Sequence, residues 1–179
     1  MILFLLLIVC GNAWAGDEFD GIKCGADIPK SLIGKRSPNQ RVVVYETRHK
    51  DLGLKDLGAE EISDQLALVS WLVCGSRYEV LVNTKSKFVR DVLPIPPHSA
   101  TSPESIGPCQ VDGKEIPEEV VALLDNSAKF NAQDAKLAET MLKPSVAWKI
   151  DEAKEKFVKQ STEQLACPLG YVVHLDSSL

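Results

Sequence analysis

Four cysteines placed far apart behind an apolar leader constrain this chain more than any other feature of its sequence. Cys24, Cys74, Cys109 and Cys167 are separated by about fifty, thirty-five and sixty residues, with none of the close C-x2-C pairing of zinc sites. An even count in an oxidising compartment points to two disulfides rather than to metal or nucleophilic chemistry. Of the three possible pairings we expect Cys24 with Cys74 and Cys109 with Cys167, because each bridge then fastens a loose segment to a hairpin.

The oxidising compartment is inferred from the first residues. Ile2 to Val9 is an unbroken apolar run, and Ala13-Trp14-Ala15 has the small-x-small form accepted by signal peptidase. The run is shorter than the roughly 20 apolar residues of a membrane helix, and Asp17, Glu18 and Asp20 follow at once. We therefore expect a leader over residues 1–15, cleavage after Ala15, no transmembrane segment, and one exported β-rich domain over residues 16–179. No Lys or Arg precedes the apolar run, which leaves room for a start further upstream. Acylation at Cys10 is the alternative route, but the bulky Val9 before it fits that route poorly.

Charge narrows the partners. A formal net charge of -5 and a pI near 5.3, with Lys and Arg scattered, lack the basic face that neutralises phosphates, so nucleic-acid binding is not expected.

The clearest local structure is "LALVSWLVC" followed by "RYEVLV", two strands expected to turn on Gly75-Ser76, with "FVRDVL" as a third strand. Arg77, Glu79, Lys87 and Arg90 are expected on the outer face of this meander. "CQVDGKEI" is a second hairpin on Asp112-Gly113, "VVALL" a strand, and "VAWKID" with "KFVKQ" a third hairpin around Glu152. "YVVHL" is expected as a terminal strand, and "RVVVYE" at 41–46 as a further strand because it is β-branched and aromatic. "CGADIPKSLIGKR" reads as a short helix capped by Asp27, with Pro29 in its first turn and Gly34 ending it. The doubled Asp-Leu-Gly at Asp51 and Asp56 reads as a structured loop with a helical turn near residues 59–63; its acids lack the alternating ligands of a calcium loop. A helix capped by Asp134 and ended before Pro144 would place Ala138, Met141 and Leu142 on one face. These elements make the fold mainly β: an antiparallel sandwich or barrel of about eight strands with one or two short helices, stapled by disulfides. Trp71, Tyr78 and Trp148 are expected in the core or between strands.

Catalytic patterns are missing. His49, His98 and His174 lie far apart without metal-ligand spacing, the pairs Glu60-Glu61 and Glu118-Glu119 are sequence neighbours that diverge toward water, and no nucleophile elbow, P-loop or dinucleotide fingerprint occurs. We expect no metal site and no cofactor. The function expected is a non-catalytic binding or inhibitor-like module for a macromolecular partner; the alternative is a small secreted hydrolase using His98 or His49 with an acid brought close by the fold. The candidate binding segment is the stretch 94–108, whose five prolines limit the entropy lost on docking. Within it His98, Ser99 and Glu104 are expected as exposed polar contacts.

Overall fold

In a computed structural model the described residues are 16–37, 42–98, 102–125 and 140–169. The leader up to Ala15 with Cys10, Ser99, the expected helix capped by Asp134 as far as residue 139, and the stretch 171–175 with His174 lie outside them.

The chain is mainly β, built on two antiparallel sheets. The first has four strands in sequence order: β1 (Lys55–Ser63), β2 (Leu66–Val73), β3 (Ser76–Asn83) and β4 (Val89–Pro94). The second comprises β5 (Glu104–Val111), β6 (Lys114–Leu124), β7 (Met141–Leu142), β8 (Pro144–Asp151), β9 (Lys156–Gln160) and β10 (Leu165–Pro168), in the spatial order β7-β10-β5-β6-β8-β9. Ahead of the strands come two short helices, α1 (Ile28–Leu32) and α2 (Val42–Arg48). Asp27 caps α1 by accepting from the Lys30 amide at 3.1 Å.

Side-chain alternation divides the interior into three clusters. Leu66, Leu68 and Leu81 from the first sheet meet Ile106, Val121, Leu123 and Ile150 from the second, forming the sandwich core. The opposite face of the first sheet carries Trp71, Val73, Tyr78, Val80 and Val82, and the N-terminal segment covers it with Phe19, Ile28, Leu32, Tyr45, Leu52 and Leu54. The remaining face of the second sheet buries Val120, Ala122, Leu124 and Ala147 with Leu165 and Leu169. Trp71 and Tyr78 are cross-strand partners in the second of these clusters, and Trp148 packs on the sandwich core.

The two disulfides join Cys24 to Cys74 and Cys109 to Cys167. The first ties the N-terminal layer to the β2–β3 turn; the second links the neighbouring strands β5 and β10. The sandwich is also closed along one side. Asp91 on β4 accepts from the Phe157 amide of β9 at 2.9 Å, and Glu155 bonds both Asn83 and Arg90.

Several local expectations are corrected. The β2–β3 turn is centred on Cys74 and Gly75, with φ 53° and 76°, because Val73 pairs with Ser76 and both central residues take the left-handed conformation of a type I′ turn. Cys74 is held in that position by its disulfide and by the bond from its amide to the Leu52 carbonyl at 2.7 Å. The Val-rich stretch at 42–44 is helical. Its context overrides the β preference: Tyr45 and His49, four apart, both enter the core, and the Tyr45 hydroxyl donates to buried Glu18 at 3.1 Å. Residues 55–63 form β1 rather than a loop ending in a helical turn, and Gly58 sits at a break in register with β2. Met141 and Leu142 pair with β10 as strand residues instead of lying on a helix face.

Candidate functional site

The proline-rich stretch is divided between structure and surface. Pro94 ends β4, while Pro108 lies within β5. His98 is half-buried, with Nδ1 3.1 Å from the Pro96 carbonyl. Glu104 is not an exposed contact: it opens β5 at 4% exposure, facing the first sheet.

Its neighbours explain that placement. Arg77 and Glu79 are two apart on β3 and so share a face, and that face looks into the sandwich rather than outward as expected. Arg77 Nε donates to Glu79 Oε1 at 3.0 Å, and Arg77 Nη2 lies 2.8 Å from Glu104 Oε2. The Ser70 hydroxyl on β2 donates to Glu79 Oε2 at 2.6 Å. Two carboxyls therefore share one guanidinium at a site with almost no water, Glu79 being fully buried. Burial, then the neighbouring Glu79 charge, pushes the Glu104 carboxyl up to about 8 against the partial compensation from Arg77; burial pushes Glu79 upward as well. A neutral Glu104 balances the charge and supplies the donor that two carboxylates lack.

Such a raised acid has the proton affinity of a catalytic acid but not the access. With both carboxyls covered by the two sheets, the cluster acts on stability. Glu104 is raised from its ordinary 4.5 to about 8, so the folded chain binds more protons than the unfolded chain across that interval. Its stabilising contribution is complete below the lower value and lost as pH rises through the upper. Glu18, Asp56, Glu60 and Glu119 are raised too, all by burial first, whereas the half-buried Asp151 and Glu155 are lowered by hydrogen bonds to Lys154 and Asn83. Thermal unfolding should accordingly show a higher midpoint at about pH 5 than at about pH 9. Glu104→Gln should flatten that dependence, and an unchanged slope in the variant would remove Glu104 as its source.

A second cluster, buried but for the exposed Asp20, lies within the N-terminal layer. Asp17 accepts from Arg48 Nη1 at 2.7 Å and approaches His49 Nε2 at 2.7 Å, while Asp20 stands 3.9 Å from the same nitrogen. Ligand atoms of Asp17, Asp20 and His49 lie within 4.8 Å of one another, close enough in principle to hold a cation. The bond from Arg48 already neutralises Asp17, which makes this donor set a poor fit for a metal. His49 is also packed against Phe19, with ring centroids 5.6 Å apart, and is only 6% exposed.

Two open concavities lie at the end of the sandwich marked by the β1–β2 turn, Asp64-Gln65. One, of about 700 Å³, is bounded by Ser63, Asp64, Gln65, Glu152 and Glu155; the other, of about 580 Å³, by Glu60, Glu61, Asp64, Ala67 and Lys85. Beside them, after burial, the charges of Glu60, Glu115 and Glu152 raise the carboxyl of Glu119, which lines neither cleft but feels the acids of both. The pairs Glu60-Glu61 and Glu118-Glu119 diverge in sequence, but the fold brings Glu60 into the field of Glu119. That convergence was not visible in the sequence, because it depends on how β1 sits against the second sheet.

Among the described residues no helix is long and apolar enough to cross a membrane. No family model matches the chain, and no curated protein or solved structure matches it either.

Proposed function

We propose that the protein is an exported, non-catalytic binding module, released by cleavage after Ala15, whose partner presents a cationic segment to the acidic end of the sandwich. The observation that carries this reading is the pair of clefts that meet at Asp64, one lined also by Glu152 and Glu155 of the β8–β9 turn, the other by Glu60 and Glu61 of β1 with Lys85 as its one cation. Like charges held close together cost free energy in the unbound chain, and a Lys- or Arg-rich segment lying across them relieves that cost. The bonds from Glu155 to Asn83 and Arg90 hold the β8–β9 rim against the first sheet, so little ordering is needed there on binding. The hydrolase alternative finds little support: His49 is buried and engaged by Asp17, and His98 bonds its own loop.

The test is a calorimetric titration of the exported protein with a Lys-rich peptide. The parent should bind with an affinity that falls as salt rises, and the combined variant Glu60→Gln, Glu61→Gln, Asp64→Asn should bind at least about tenfold more weakly, roughly 1.4 kcal/mol. All three side chains lie on the rim, so folding should be retained. Equal binding by parent and variant would reject the acidic end as the interface.

A further inference from the structure

We propose that the α-amine created at Gly16 by leader cleavage is itself a structural ligand: it pairs with the carboxylate of Asp20 and locks the new N-terminus into the fold. The inference rests on the processing step proposed above, but not on what the acidic clefts bind. Residues immediately after the cleavage point are unusually well buried for a chain terminus. Asp17 is 5%, Glu18 2% and Phe19 1% exposed, and Phe19 packs edge-on against both Tyr45 and Trp71.

The short turn that carries them is tied by its own carboxylates. Asp20 Oδ2 accepts from the Asp17 amide at 2.9 Å, and Asp17 Oδ1 accepts from the Phe19 amide at 3.0 Å. Gly16 is drawn close to the same oxygen, since a Cβ built on it would stand 2.2 Å from Asp20 Oδ2. The backbone nitrogen of Gly16 shares its Cα with that Cβ position and so lies within about 5 Å of the Asp20 oxygen, a distance that a small rotation of the exposed Gly16 and the exposed Asp20 side chain closes to an ion pair.

While the leader is attached, that nitrogen is a neutral amide. Hydrolysis of the Ala15–Gly16 bond adds water across it, leaving a carboxylate on Ala15 and an ammonium on Gly16. The new cation enters a region holding Asp17, Glu18 and Asp20, opposed by Arg48 on Asp17 and by Lys35, whose Nζ donates to the Asp20 carbonyl at 2.9 Å. His49 stands between Asp17 and Asp20. An ammonium beside Asp20 is held in its charged form and is a poorer nucleophile at neutral pH.

The experiment measures the acylation rate of the N-terminal amine in the exported protein, read by mass spectrometry of the N-terminal peptide, for the parent and Asp20→Asn. An amine held charged by one pKa unit reacts about tenfold more slowly near neutral pH. The parent should therefore be about tenfold slower than Asp20→Asn. A chain retaining Ala15, whose amine is displaced by one residue, should lose the protection and melt about 2 °C lower. Equal rates in parent and Asp20→Asn would overturn the docking while leaving the processing site intact. An intact mass showing an N-terminus other than Gly16 would overturn both.

Discussion

Arg77→Ala is expected to destabilise the folded chain by about 3–5 kcal/mol, the cost of removing one partner from a buried ion pair and leaving its counter-charge behind. Glu79 and Glu104 would face each other between the sheets with only the Ser70 hydroxyl and the Glu104 proton left as donors. Protonation of the second carboxyl would relieve part of the cost, so the loss should grow as pH rises. Replacing the whole group by apolar side chains, Arg77→Met with Glu79→Leu and Glu104→Leu, should recover most of the loss, because desolvation of the ions disappears with the ions. Urea unfolding of the three proteins near neutral pH measures both effects. A loss below about 0.5 kcal/mol, the range of an ordinary surface change, would show that the cluster does not hold the sheets together.

Removing the disulfides should have a comparable effect at each bridge. The sequence separations of 50 and 58 residues correspond to about 4 kcal/mol apiece from the restricted entropy of the unfolded chain. Together, roughly 8 kcal/mol lies within the 5–15 kcal/mol total of a typical domain, so full reduction should leave the fold marginal or lost. The two bridges should differ in what loosens first. Without Cys24–Cys74, the layer carrying Phe19, Leu32 and Leu52 should exchange its amides sooner. Without Cys109–Cys167, the effect should centre on β10 and its neighbours β5 and β7. Cooperative unfolding at an unchanged urea midpoint after reduction would contradict this account.

Legibility of the fold followed the range of the interactions. The Asp112-Gly113 hairpin and the paired strands β8 and β9 depend on turn chemistry and alternation within a few residues, and both are readable from their own segments. The first sheet was harder, because it is covered on both faces. Arg77 and Glu79 alternate with Tyr78 and Val80 as charges on a solvated face would, and only the distant Glu104 shows that their side points inward. Helix α2 was hidden for a related reason: nothing within 41–46 discloses that Phe19, Trp71 and Glu18 surround Tyr45. The acidic end is likewise a product of assembly, since Glu60, Glu115 and Glu152 act on Glu119 only once β1, β6 and the β8–β9 turn are together.

The central functional claim is that the partner meets this acidic end and not the proline-rich stretch. Backbone amide chemical shifts of the protein, followed by NMR while a Lys-rich peptide is added, test it most directly. Saturable shifts should concentrate at 60–64, 84–85 and 152–155 and weaken with added salt. Shifts confined to the stretch around His98, or no saturable shifts at all, would contradict it.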